Sequence, residues 1–161
     1  MKRSSRGFSI LEVLITVAVV AILASIAVPK LVSQRHNARL KDAVSMIRQD
    51  LEMARSWAIR ENAFVPVIIS ADGYTYSVFI DNGSGVSAEN WLHDGDETTL
   101  CNRTLPEGIR IDLTQTTLTD HRTRFNGKGY STNNGIITLL NANGKSANVD
   151  MSNRFGRIRT N

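Results

Sequence analysis

The sequence predicts an α+β protein: a long N-terminal α-helix, its first half suited to cross a membrane, packed in its second half on an antiparallel β-sheet. Three observations predict it. From Phe8 to Val28 only Ser9, Glu12, Thr16 and Ser25 are not apolar. Leu40, Val44, Ile47, Leu51, Ala54 and Ala58 then step by alternating fours and threes, an apolar stripe at helical period. Beyond Asn62 the chain breaks into short apolar or alternating runs separated by turn residues, which reads as strands.

The apolar run comes first. As a helix it reaches about 32 Å at about 1.5 Å per residue, matching the roughly 30 Å hydrocarbon core of a bilayer. It is too long for a secretory signal core, and no small-residue cut site follows it. Glu12 is the anomaly. A charge at the centre of a spanning helix costs roughly 2.5–3.5 kcal/mol on insertion scales. Glu12 lies near one end, where the cost is lower, but its carboxylate still needs a partner.

Past Pro29, where the proline removes one helical hydrogen bond and favours a kink, the helix is expected to continue as an amphipathic stem. Arg39, Lys41, Arg48, Glu52, Arg55 and Arg60 mostly occupy the faces away from its apolar stripe. Strands are then expected at 64–70 and 74–81, joined through Ala71-Asp72-Gly73, followed by a polar loop over 82–99. Further strands are expected at 108–114, 123–126, 135–141, 146–151 and 155–160, with a turn at Asn143-Gly144.

The formal charge is +4, but its distribution says more than its total. Lys2, Arg3 and Arg6 stand in the first seven residues with no acid, and without that piece the balance is 16 basic to 15 acidic. Glu61 to Asn102 holds seven acids and no Lys or Arg, whereas Arg103 to Asn161 holds nine cations and four acids. An acidic middle is thus followed by a basic final third. Cys101 is the one cysteine, so no disulfide can form within the chain.

No nucleophile–base set is visible, so no enzyme, catalytic residue or cofactor is expected. His36, His93 and His121 have no ligand-like spacing, and no metal is expected of them. Asp94, Asp96 and Glu97 lack the spacing of a calcium loop and read as a solvated acidic loop. Trp57 and Trp91 read as packing residues.

The N-terminal spelling is specific. A short basic segment ends in Gly7, Phe8 follows, Glu12 is the fifth residue after that junction, and an apolar run leads to Pro29. This resembles the class III leader of type IV prepilins. The resemblance implies cleavage between Gly7 and Phe8 by the prepilin peptidase, N-methylation of Phe8, and a type IV pilin fold. It also implies that the leader faces the cytoplasm, that the protein crosses the inner membrane once, and that its C-terminal domain lies in the periplasm before incorporation into a pilus. The expected division is leader 1–7, transmembrane and filament-core helix 8–29, amphipathic stem 30–62 and β-rich globular domain 63–161. In a filament core, Glu12 would accept the amino-terminal charge of Phe8 on a neighbouring subunit. A buried pair of that kind sets register more than it adds stability.

The second half narrows the likeness. "ARSWAIREN" (54–62), "FNGKG" (125–129), "IITL" (136–139) and the terminal "GRIR" (156–159) resemble the GspH/FimT family of minor pilins and pseudopilins. A paired cysteine loop, as in main filament subunits, is absent. In the FimT branch a terminal Gly-Arg-x-Arg is associated with DNA binding in natural transformation, and Gly156, Arg157 and Arg159 match it.

The residues themselves support two readings of that terminus. With Arg154 they place three guanidiniums and no acid in one short stretch, able to grip phosphates bidentately. On a strand, Arg157 and Arg159 would share a face, and such alternation also serves to solvate or blunt a sheet edge. The resemblance decides for the first, and the function it implies is a minor type IV pilin that binds extracellular double-stranded DNA for uptake in natural transformation, through the phosphate backbone and without sequence preference, with Lys128 and Lys145 as auxiliary contacts. The other partners expected are major and minor pilins, the prepilin peptidase and the inner membrane. The alternatives are a minor pilin that primes assembly without a ligand, or a GspH-like pseudopilin of type II secretion.

Overall fold

In the computed structural model, residues 9–83, 90–94 and 97–151 are described, together with the backbone of 159–160. A single α-helix, α1, runs from Ile10 to Glu61 and passes through Pro29. The chain divides into two compact units at Arg35 and His36, inside that helix.

In the first unit the apolar side chains of α1 are exposed, from Ile10 at 81% to Val32 at 46%. The helix is long and apolar enough to cross a membrane. It starts on Ser9, whose carbonyl accepts from the amides of Glu12 and Val13 and whose hydroxyl accepts from Leu11 N–H.

In the second unit α1 turns one face inward: Leu40, Ala43, Val44, Ile47, Asp50, Leu51, Ala54 and Ala58 are buried. The expected stripe is therefore a core stripe. The helix ends with Asn62 in the left-handed region (φ 49°) and Ala63 N–H bonded to Ala58 C=O at 3.2 Å, a Schellman closure.

Two antiparallel sheets follow. The first takes β1 (Val65–Ile69), β2 (Thr75–Phe79), β3 (Thr99–Thr104), β5 (Arg122–Phe125) and β6 (Ser131–Thr132) in the order β3-β2-β1-β5-β6. The second takes β4 (Ile109–Ile111), β7 (Ile136–Asn141), β8 (Ser146–Asp150) and β9 (Arg159–Thr160) in the order β4-β7-β8-β9. Val65, Val67 and Ile69 of β1 alternate inward with Tyr76 and Val78 of β2, and Ile137, Leu139 and Val149 do the same in the second sheet. Pro66 lies inside a central strand, an unusual place for a residue without an N–H. It sits where the β1–β2 ladder lapses, between the Val67↔Val78 pairing and the Phe64↔Asp81 bridge.

The sheets meet at Gly73. Its carbonyl accepts from Ile111 N–H at 2.8 Å, and a Cβ there would stand 2.6 Å from Ile111 O with φ at +71°. Only glycine fits that position.

Two strands were not expected. Thr99–Thr104 extends the first sheet at its edge, so the loop expected over 82–99 gives way to strand at Thr99. Ser131–Thr132 adds two residues at the opposite edge. Of the strand expected at 155–160, Arg159–Thr160 is described and the remainder lies outside the described residues.

Candidate functional site

Two carboxylates sit on apolar faces of α1, and the structure treats them differently. In the first unit the hydroxyls are satisfied locally: Thr16 Oγ1 donates to Glu12 C=O and Ser25 Oγ to Ile22 C=O, both at 2.7 Å. The Glu12 carboxylate is exposed and has no partner among the described residues. Gly7 and Phe8 lie outside the described residues.

Asp50 is the second carboxylate. It is 4% exposed and accepts from Tyr76 Oη at 2.7 Å, from Arg103 Nε at 2.9 Å and from Arg103 Nη2 at 3.2 Å. The helix is thereby tied to β2 and β3 through one charge. Burial, then the hydrogen bond to Asp50, pushes the Tyr76 hydroxyl far above its usual pKa. The hydrogen bond to Asp50 likewise raises the Arg103 guanidinium. Burial, followed by the Asp50 charge, pushes the neighbouring Cys101 thiol up. Sequence reasoning missed this cluster, although a signal existed. Asp50 falls three residues after Ile47 and four before Ala54, on the apolar stripe.

The DNA-contact candidates do not form one described patch. Arg154, Gly156 and Arg157 lie outside the described residues. Arg159 is placed on β9, opposite Asp150 of β8, at the end of the second sheet. Lys145 stands on the β7–β8 turn, where its N–H donates to Asn141 Oδ1 at 2.9 Å. The opposite end of β8 separates it from Arg159, about 16 Å at about 3.3 Å per residue. Lys128 belongs to the first sheet, on the turn between β5 and β6, its N–H donating to Asn126 Oδ1 at 3.0 Å.

Among the described residues no group of three or more His, Cys, Asp and Glu could hold a metal ion. His93 Nε2 pairs with Thr99 Oγ1 at 2.8 Å and its ring meets Phe79 edge-on. Glu97 corrects the reading of a solvated acidic loop. It is 7% exposed, and its carboxylate accepts from Gly83 N–H and Asp94 N–H, so it folds the loop on itself. Asp94 is half-buried, and Asp96 lies outside the described residues. Trp57 packs on the core, with the Arg60 guanidinium 3.3 Å from its ring centre. Trp91 instead lies against Arg122 and Arg124 at 4.9 and 4.3 Å.

A long helix, apolar in its first half and laid in its second on antiparallel sheet, defines a pilin-like filament protein of the type IV pilus or type II secretion kind. The family described as "Type II transport protein GspH" matches residues 43–154, well over half of the chain, and the "Prokaryotic N-terminal methylation motif" matches residues 2–28. The chain belongs to the GspH family. Two solved structures of the minor pseudopilin EpsH from the type II secretion system of Vibrio cholerae share the fold, each with a TM-score of 0.56. They are 16% and 14% identical to the chain, cover 76% of it, and are themselves covered over 96% and 93% of their length. No curated protein matches the chain.

Proposed function

We propose that the protein is a minor pilin that binds double-stranded DNA through phosphates, using Arg154, Arg157 and Arg159 at its C-terminus. The observation that carries this reading is the acid-free "RFGRIR" run at 154–159, ending on a strand at the margin of the second sheet. Gly156 allows the backbone to approach a phosphate closely. Lys128 and Lys145, on separate sheets, act at most as outlying contacts. Glu12, with no partner in the chain described, meets the Phe8 amine of a neighbouring subunit after cleavage at Gly7. One module binds weakly, and repetition in a filament raises the avidity.

A second reading, a pseudopilin of type II secretion, is favoured by the matched family's description and by the EpsH fold. A gel shift separates the two. Under the first reading, duplexes of unrelated sequence bind alike, and log K falls with log[salt] at a slope near about −2.7 for three phosphates. Arg157→Gln with Arg159→Gln flattens that slope by up to about two units. No binding by the wild-type chain at low salt, even when multivalent, would leave the pseudopilin reading standing.

A further inference from the structure

The sequence holds four Asn-Gly dipeptides, at 82–83, 126–127, 134–135 and 143–144. Each could lose ammonia, because glycine has no side chain to keep its main-chain nitrogen away from the preceding carboxamide. The fold treats the four differently. Gly83 N–H donates to Oε1 of the buried Glu97, so stripping its proton would set a second negative charge beside that carboxylate. Asn126 Oδ1 accepts from Lys128 N–H and Tyr130 N–H, both at 3.0 Å, and Gly127 packs against Asn62. Asn134 Oδ1 accepts from Ser131 Oγ, and Gly135 is buried, with the position of an added Cβ 2.8 Å from Thr117 Oγ1. At these two the carboxamide is held and a new ring has no room. Asn143 and Gly144 stand apart. They form the tip of the β7–β8 turn, both are exposed, and a Cβ on Gly144 would meet nothing within 4 Å. Gly144 N–H donates to Asn141 C=O at 2.9 Å, but that bond closes an exposed turn, where local opening costs far less than in the sheets.

We propose that Asn143 is a site of spontaneous modification, losing its side-chain amide to become aspartate or isoaspartate while the other three asparagines are protected by the fold. The Gly144 main-chain nitrogen attacks Asn143 Cγ. The N–Cγ bond forms, the Cγ–Nδ2 bond breaks, and the nitrogen's proton leaves with the departing ammonia. Water then opens the cyclic imide at either carbonyl, giving a carboxylate on the side chain or, in the isoaspartyl product, a main chain longer by one methylene. Solvent is the sole co-reactant. The consequence reaches beyond the turn. Asn141 Oδ1 accepts from Asn143 N–H at 3.0 Å and Lys145 N–H at 2.9 Å, and its Nδ2 donates to Asn37 Oδ1 of α1 at 3.2 Å. A lengthened turn therefore strains the contact that ties it to the helix, and the new charge stands two residues from Lys145. The reaction is independent of what the C-terminus binds.

The test ages the full chain in detergent micelles at mildly alkaline pH and follows each Asn-Gly site by peptide mapping and mass spectrometry. Conversion at Asn143 is expected severalfold faster than at Asn82, Asn126 or Asn134, with isoaspartate among its products. In concentrated urea the four sites should react at similar rates, because each has glycine after it and the fold no longer separates them. Asn143→Gln should abolish the fast ammonia release of the folded chain, and unchanged far-UV circular dichroism checks that the variant is folded. Conversion in the folded chain as fast at any of the other three sites would overturn the proposal. So would an Asn143 that stays intact in the folded chain while it reacts in urea, because the turn would then protect it as well.

Discussion

Asp50→Ala is the most informative perturbation of the globular unit, because its cost can be built up from three hydrogen bonds. Asp50 and Tyr76 are 4% and 3% exposed, so removing the carboxylate strands a buried hydroxyl. An unsatisfied group of that kind costs about 1–3 kcal/mol. Arg103 behaves differently. Its side chain is 45% exposed, and once released it can turn to water. The about 3–5 kcal/mol of a fully buried broken pair therefore does not apply, and screening reduces the charge contribution further. Alanine returns about 0.5 kcal/mol of helix propensity at this mid-helix site. The net expectation is about 2 kcal/mol, or about 8 °C in Tm for a domain of this size.

Tyr76→Phe should cost about 1–1.5 kcal/mol, because Asp50 keeps both bonds to Arg103. In the double variant no hydroxyl is stranded, so the combined loss should fall short of the sum by about 1 kcal/mol. Equilibrium urea unfolding of the His36–Asn161 unit at neutral pH measures the cycle. Coupling below about 0.3 kcal/mol would mean that the Tyr76–Asp50 bond does not contribute, and would refute the reasoning.

Gly73→Ala should destabilise the same unit by about 2–3 kcal/mol, from the contact with Ile111 O together with about 1–2 kcal/mol for a left-handed side chain; a neutral result would mean that the two sheets are not joined there. Alkaline titration should weaken the fold. Tyr76 and Cys101 have folded pKa values raised above their ordinary 10.0 and 9.0, so the stability from their neutral forms is complete below pH 9 and is lost as pH rises beyond it. Cys101→Ser should flatten the first part of that loss in denaturation midpoints measured from pH 8 upward. Glu12→Ala should leave the globular unit's melting unchanged and reduce incorporation into filaments, scored by sheared-filament blots; normal incorporation would remove the intersubunit role given to the carboxylate. Protein extracted from membranes of a host with prepilin peptidase should begin at Phe8 by intact mass, and an uncut Met1 terminus would contradict the leader reading.

What could be read from the sequence follows from where burial writes a pattern. The stripe from Leu40 to Ala58 and the alternation through Val65, Val67 and Ile69 were legible because each lies on a surface that must be dry. β3 was not. "TLCNRT" is a mostly exposed edge strand with no buried residue, and an edge that resists further pairing is built from polar side chains that erase the period-2 signal. β6 is two residues long and carries no periodicity at all. Glu97 misled for a related reason. In "HDGDE" an acid that caps its own loop spells the same as one that faces water, and only the amides of Gly83 and Asp94 distinguish them.

The two carboxylates of α1 show how far a residue's identity can carry an argument about function. Each interrupts an apolar face, and each must be paired for that face to be buried. Glu12 stood out because nearly everything around it in the sequence is apolar, whereas Asp50, although it falls on the apolar stripe, has polar sequence neighbours such as Arg48, Gln49 and Glu52. For Asp50 the fold supplies the partners, Tyr76 and Arg103, from two strands far along the chain. For Glu12 the described chain supplies none, although the neighbouring hydroxyls of Thr16 and Ser25 are satisfied on the helix itself. A carboxylate in an apolar surface that neither folds away nor finds a local bond can be neutralised from outside the chain, by a second molecule that brings a cation.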